Sequence, residues 1–413
     1  MKTLRAKDIL GFDMKTVVTI VLSIFFFSLA LVGCLSLPAG SEAPGTATEN
    51  AQRVSNHFDG TRYFNPAIPQ SSSSVPDQGP KQEHYFRMWH LVSSAGRPEW
   101  PNAEDSLPGP APDAGVSEGN IRVTPVGHAT FLIQMDGLNI LTDPIWSDRS
   151  SPLSWIGPKR HKKPGIRFED LPPIDVVLVS HDHYDHLDLP TLKHLAKKGT
   201  LRSIVPLGCR NLVRGTGIPK VDEFDWWQST SLSPDVAVTL VPAQHFSQRT
   251  FWDRNKTLWG GFVISGPSGN VFFAGDTGYG PHIKEIARRF SPVKVAILPI
   301  APFQPQQSKE PSGSSLHMGP MEAVQAHIDL NAQLSIAGHF QVFQLGSDGF
   351  NDAVDQLSAA LRSRNLSNDV FVAPGPGQPQ ELATGLAGIH NTLRAGTSNI
   401  PQQKTLEHYD VNP

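Results

Sequence analysis

The stretch Ser180-His181-Asp182-His183-Tyr184-Asp185-His186 constrains this chain more than any other, because three imidazoles and two carboxylates fall within seven residues directly after an apolar run. Asp175-Val176-Val177-Leu178-Val179 reads as a short buried strand. That strand delivers the polar cluster to one edge of a sheet, where open α/β sheets bind their ligands. Imidazole nitrogen and carboxylate oxygen are the donors that suit zinc and neighbouring divalent ions. The loop therefore predicts a metal site rather than a solvated polar turn.

Three further apolar runs end in the same kinds of donor. Val238-Thr239-Leu240-Val241 leads to His245, Val271-Phe272-Phe273-Ala274-Gly275 leads to Asp276, and Leu334-Ser335-Ile336-Ala337-Gly338 leads to His339. Each reads as strand, short turn, ligand. Strands that end at one edge would converge these side chains on the loop at 181–186. The expected donors are His181, His183, Asp185, His186, His245, Asp276 and His339, enough for two ions.

This pattern resembles the metallo-β-lactamase-fold hydrolases, in which H-x-H-x-D-H is followed by a lone His, a lone Asp and a final His. The resemblance implies that His181, His183 and His245 hold one ion, that Asp185, His186 and His339 hold the second, and that Asp276 bridges them. The antibiotic-hydrolysing zinc members carry cysteine where this chain has Asp276, which points away from that activity. The resemblance sharpens toward the N-acylphosphatidylethanolamine-hydrolysing phospholipase D family and its bacterial relatives, over roughly residues 56–375. It is carried by Gly127-His128-Ala129-Thr130-Phe131, Thr142-Asp143-Pro144-Ile145-Trp146, Gly157-Pro158-Lys159-Arg160, Phe251-Trp252-Asp253-Arg254-Asn255, Leu258-Trp259-Gly260, Gly275-Asp276-Thr277-Gly278-Tyr279 and His317 ahead of Pro320. Phe340 departs from the pattern, since relatives often carry Trp after the last His, and the surroundings of His317 also differ.

Two ions about 3.5–4 Å apart can share a hydroxide and clamp the attacking and leaving oxygens of a phosphodiester. The reading is thus a binuclear phosphodiesterase with Asp185, Asp276 and His317 as catalytic residues. Its resembled reaction yields phosphatidic acid and N-acylethanolamine. Two Zn2+ are the expected cofactors, although manganese, iron or cobalt suit the same donors. The alternatives are a lactonase or phosphodiesterase acting on a small soluble anion, and a metal-binding envelope lipoprotein without turnover.

Other residues carry two readings each. His317 reads as a phosphate contact or proton donor in a mobile wall, or as a solvated histidine at a helix start. Asp143 could bond a ligand histidine or cap the turn before Pro144. His128 reads as a structural histidine in a tight Gly turn. Trp252 and Trp259 are candidate substrate contacts, with core packing as the alternative. The block Lys159-Arg160-His161-Lys162-Lys163, beside Trp155 and Ile156, fits either an anionic lipid surface or a solvated loop.

Residues 16–33 form an uncharged apolar run after Lys15, ending in Leu31-Val32-Gly33-Cys34, as an export signal with a lipobox would. Cys34 is the expected lipidation site, Met14 is an alternative start, and a retained membrane helix is the second reading. The expected location is the bacterial cell envelope, on its periplasmic or extracellular side, with a phospholipid substrate and a membrane surface as partners. The net charge of −3 gives no electrostatic case for nucleic acid. No pattern specifies an oligomeric state. With only Cys34 and Cys209 in the chain, acylation of the first leaves no disulfide.

The expected organisation is a signal segment at 1–34, a Pro/Ser/Gly tether at 35–80 with a docking stretch from Phe58 to Pro66, a Pro/Gly-rich lead-in at 81–120, a hydrolase domain at 121–375 and an irregular tail at 376–413. Asp136-Gly137 and Gly266-Pro267-Ser268-Gly269 predict hairpins. Helices are predicted from Asp188 to about Lys198, from Pro281 to Phe290, from Pro320 to Asp329 and from Asn351 to Arg364. Strands followed by helix, repeated twice, give an α/β chain: an αββα sandwich of two mixed β-sheets packed face to face with helices outside.

Overall fold

The computed structural model describes residues 55–66, 97–102, 108–200, 202–250, 252–303 and 316–383. The predicted signal segment, Cys34 and most of the tether lie outside these residues. Contacts divide the chain after Gly60, and the body described here starts at Thr61.

Among the described residues the strands build two seven-stranded sheets. The first half supplies β1 (Asn120–Gly127), β2 (Thr130–Met135), β3 (Leu138–Thr142), β4 (Val176–Leu178), β5 (Arg202–Pro206) and β6 (Lys220–Phe224). The second supplies β7 (Ser229–Ser231), β8 (Ala237–Val241), β9 (Gly261–Gly266), β10 (Gly269–Phe273), β11 (Val293–Pro299), β12 (Leu334–Gly338) and β13 (Phe371–Val372). A last strand, β14 (Gln380–Ala383), returns to the first sheet, whose order is β14-β1-β2-β3-β4-β5-β6; the second sheet runs β13-β12-β11-β10-β9-β8-β7. Both sheets are mixed, with β3 to β6 parallel in one and β10 to β13 parallel in the other.

Helices α1 (Leu189–Lys198), α2 (Arg210–Arg214), α3 (Pro281–Phe290), α4 (Pro320–Asp329) and α5 (Asp352–Ser363) connect them. The four longer ones coincide with the expected spans to within a residue, and three of them open with a signal the backbone can use. Pro sits at the first or second position of α1, α3 and α4, where its missing N–H and fixed φ fit the helix. Gly199 ends α1 in the left-handed conformation. Leu192 and Leu195 of α1 bury against Leu132, Leu141 and Val177 of the first sheet. Ile283, Ile286, Val324 and Leu357 of α3 to α5 bury against Val263, Phe272 and Ala296 of the second. Strands covered on both faces are largely apolar: the all-buried β4 is Val176-Val177-Leu178, and the all-buried β2 keeps its two polar residues, Thr130 and Gln134, hydrogen-bonded to Asp143 O and Asn139 Oδ1.

Between the sheets, Phe131 meets Phe273 with ring centroids 6.4 Å apart. The Phe131 ring also closes on Gly338, where a Cβ would lie 3.3 Å from it. This contact seats the end of β12 against the first sheet.

The predicted boundaries need one correction. The stretch expected to be irregular from 376 contains β14, which pairs antiparallel with β1 from Asn120 opposite Ala383 to Val123 opposite Gln380. Gln380-Glu381-Leu382-Ala383 has no β-branched residue to announce a strand. The open edge of β1, not local propensity, makes it one, and Arg122 pairs with Glu381 across the ladder. The lead-in is likewise partly tied down: Gln134 Nε2 donates to Asp113 O and Asn139 Nδ2 to Ala114 O, at 3.0 and 2.9 Å. Among the described residues no helix is long and apolar enough to cross a membrane.

Phe131, 1% exposed, is expected to be the costliest core position between the sheets. Phe131→Ala should lower stability by about 3–5 kcal/mol, read as a shift of the urea midpoint at unchanged slope.

Candidate metal centre

The strand directions place every donor at one rim. β1, β3 and β4 of the first sheet end there, as do β8, β10, β11 and β12 of the second. Past β4 come Ser180 and the 181–186 loop, past β8 comes His245, past β10 Asp276 and past β12 His339. The two rims touch: His339 N donates to His128 O at 2.9 Å and Gly260 N to Ser180 O at 3.0 Å. Gly275, at φ 60, lies so near Ser180 that a Cβ would come within 2.7 Å of the serine Cβ. Glycine there lets Asp276 reach the loop.

All seven predicted donors converge. His183 Nδ1 is 2.8 Å from His181 Nε2 and 3.3 Å from His245 Nε2. Asp185 Oδ2 is 3.3 Å from His186 Nε2 and 3.4 Å from His339 Nε2. Asp276 Oδ2 stands between these groups, 3.1 Å from His339 Nε2, 3.2 Å from His186 Nε2, 3.7 Å from His245 Nε2 and 4.0 Å from His181 Nε2. A tetrahedral site with ligands about 2.0–2.1 Å from zinc has donor atoms roughly 3.3–3.4 Å apart, so the spacing fits metal. Asp276 Oδ1 and the Nε2 atoms of His186 and His339 are buried and make no hydrogen bond among the described residues, which buried polar atoms seldom tolerate without another partner.

The opposite ring nitrogens are anchored. His186 Nδ1 donates to Asp143 Oδ2 at 2.7 Å, His245 Nδ1 to Leu316 O at 3.0 Å and His339 Nδ1 to Ala301 O at 2.9 Å. His181 Nδ1 lies 2.9 Å from Ser180 Oγ, which donates to Asp143 Oδ2 at 2.6 Å. Of the two expected roles for Asp143, the bond to a ligand histidine holds, and it reaches both groups of donors. Such partners fix tautomer and ring orientation.

Asp182, the other loop acid, turns away, accepting from Gln248 N and Thr257 Oγ1 at 2.9 Å each; burial pushes its carboxyl up to about 6 despite Thr257. Arg249 donates to the carbonyls of Asp182 and Leu187 at 2.7 and 2.9 Å and stacks on Tyr184, clamping the loop. Asn65, from the expected docking stretch, donates to His245 O at 2.8 Å.

His317 faces the centre, its Nδ1 3.7 Å from Asp276 Oδ2 and its ring 4.9 Å from that of His245. Burial lowers its pKa to about 3, against the pull of Asp276, so the imidazole is neutral. Trp259 is 1% exposed and donates to Ala243 O at 2.9 Å, which makes it core rather than a wall of a cleft, while Trp252 is 56% exposed. The cationic block is also divided. Arg160 is buried, donating to Ile145 O and lying over Phe343, and Lys162 donates to Gln341 Oε1, which leaves Lys159 and Lys163 exposed. His128, read from sequence as a turn histidine, turns out to touch the centre: its Nε2 is 2.9 Å from Asp185 Oδ2. The sequence offered one sign of this, its place at the end of a strand reaching the same rim.

Charge sets the pH behaviour. Burial opposes protonation of His339, yet Asp276 and then Asp185 hold its pKa up to about 9; His186 is raised well above 6.5 by Asp276 and Asp185 against the same burial. In the metal-free chain these imidazolium pairs stabilise the fold fully below pH 6.5, and the His339 share is lost as pH rises through about 9. An incoming ion must displace those protons. Divalent-metal affinity is therefore expected to rise between pH 7 and 9 by up to about tenfold per unit for each proton displaced, with proton release measurable by a pH indicator in weak buffer. Asp143→Asn is expected to weaken binding about 10- to 100-fold, measured by competition with a chromophoric chelator.

A family model described as "Beta-lactamase superfamily domain" matches residues 138–340. An uncharacterized protein of Mycobacterium tuberculosis is 35% identical over 318 residues, 75% of this chain and 81% of that protein. The N-acyl-phosphatidylethanolamine-hydrolyzing phospholipase D 1 of Caenorhabditis elegans is 33% identical over 279 residues, 65% of this chain and 77% of that protein. The crystal structure of an isothiocyanate hydrolase from Delia radicum gut bacteria shares the fold, with a TM-score of 0.50 at 17% identity, over 64% of this chain and 100% of that one. With a His/Asp centre whose spacing fits metal and relatives that align over most of their length, the chain belongs to the metallo-β-lactamase-fold hydrolases and is a metal-dependent hydrolase.

Proposed function

We propose that the protein is a binuclear zinc phosphodiesterase that hydrolyses N-acylphosphatidylethanolamine-type lipids to phosphatidic acid and N-acylethanolamine. The observation that carries the two-ion reading is the position of Asp276 Oδ2, within 3.1–4.0 Å of four imidazole nitrogens drawn from both groups of donors. The lipid class is supported by the similarity to the nematode phospholipase D.

His181, His183 and His245 would hold one ion, Asp185, His186 and His339 the other, and Asp276 both. The chemistry supplied by zinc at these positions is Lewis acidity toward phosphoryl oxygens and a water acidified to a pKa of about 7. Asp276 Oδ1 is buried and makes no hydrogen bond among the described residues, which leaves it to orient the attacking water. Neutral His317 can donate a hydrogen bond to a phosphate oxygen, or take the proton released by the attacking water and return it to the departing alcohol. Water adds to phosphorus, the P–O bond to the N-acylethanolamine breaks, and the proton goes to that oxygen.

Delivery to lipid is supported by the apolar segment ending at Cys34 and by Trp155, 65% exposed a few residues before exposed Lys159, a pairing that suits an anionic interface. Full-length zinc-loaded protein in mixed micelles with N-acylphosphatidylethanolamine is expected to release phosphatidic acid and N-acylethanolamine, identified by mass spectrometry, with no product from Asp276→Asn. Diacylglycerol with phospho-N-acylethanolamine, or turnover that survives Asp276→Asn, would overturn the assignment.

A further inference from the structure

His128 lies at the end of β1, outside the seven donors, and its backbone is unusual: φ is 59°, in the left-handed region where histidine is one of the few residues found with any frequency. That turn sends the carbonyl across to the second sheet, where it accepts from His339 N at 2.9 Å. It sends the ring toward the 181–186 loop, where Nε2 meets Asp185 Oδ2 at 2.9 Å. The ring packs 3.9 Å from His339, 5.5 Å from His186 and 5.2 Å from Phe343, centroid to centroid.

From these contacts we infer that His128 is a positioning residue for the second metal position: its ring fixes Asp185 while its carbonyl fixes His339, so one residue sets two ligands. The inference rests on the two-ion reading above. The hydrogen-bond chemistry allows only one assignment. An ionised carboxylate can only accept, so at 2.9 Å from Asp185 Oδ2 the His128 Nε2 carries a proton and donates it. Asp185 Oδ2 then has one lone pair engaged by His128 and another turned toward the Nε2 atoms of His186 and His339, 3.3 and 3.4 Å away. The oxygen is thereby held in the orientation a ligand needs. A side chain lacking that N–H would leave Asp185 free to rotate, and would leave a buried carboxylate oxygen short of a partner. Apart from Phe343, the ring contacts lie with Asp185, His186 and His339, so the first position, built on His181, His183 and His245, is not set by this residue.

The test is metal titration of the full-length protein, stripped by chelator and refilled with Co2+, with uptake by elemental analysis and ligand-field absorption recorded at each equivalent. Wild type is expected to take two equivalents. His128→Leu is expected to keep the first and to bind the second about 10- to 100-fold more weakly, with the absorption of the second equivalent altered. Because the leucine variant can fail to fold, His128→Gln and His128→Asn give the decisive pair. Glutamine places an amide nitrogen near the position of Nε2 and should restore the second equivalent and its spectrum; asparagine is too short and should not. A wild type that takes two ions while the asparagine variant matches it in affinity and spectrum would overturn the role of His128 alone. Uptake of a single equivalent by wild type would overturn the two-ion reading, and this inference with it.

Discussion

Buried charge is the constraint on which this molecule turns. Asp185 and Asp276 are nearly withdrawn from solvent among five imidazoles that are themselves largely buried, and isolated buried carboxylates are strongly disfavoured unless positive charge meets them. In the metal-free chain that charge is borne by His186 and His339, both shifted toward protonation by the two carboxylates against the opposing effect of burial. A divalent ion supplies the same compensation without the protons. Metal affinity, pH response and the geometry of the rim are therefore one problem in electrostatics.

The sandwich makes such a cluster affordable by holding its members rigidly. Each donor stands at a strand end, and the ring nitrogens of His181, His186, His245 and His339 that face away from the centre are anchored. Asp143 serves both groups, directly to His186 and through Ser180 to His181. Below the rim, Phe131, Phe273 and Gly338 fill the space between the sheets, so packing in the core fixes where His339 emerges. A loose core would spread the donors apart, and ligand geometry tolerates little spread.

The donors themselves were legible because they follow a simple rule, an apolar run and then a histidine or aspartate. The helices were legible for an equally local reason: Asp188 with Pro190, and Pro281 and Pro320 after glycine, mark starts that the backbone reads directly. Long-range contacts were not legible. The strand at Gln380–Ala383 exists because β1 has an open edge. Trp259 is buried because its indole N–H finds Ala243 O, a pairing that its sequence neighbours do not reveal. Arg160, one of a run of basic residues, is buried because the carbonyls of Ile145 and Ser147 and the ring of Phe343 wrap it.

The sequence by itself determined the identity and order of the histidines and aspartates that converge at the rim as candidate metal donors, the hairpins and the longer helices, since these depend on residue type and short spacing. The tertiary structure alone decided which remote partners hold Asp182 and Asp185 apart, that Asp143 serves both groups of donors, and that His128 belongs to the site at all. The physical reason is distance: Asp182 and Asp185 are chemically alike and three residues apart, and only partners remote in the chain, Gln248 and Thr257 for one and His128 and His339 for the other, turn them in different directions.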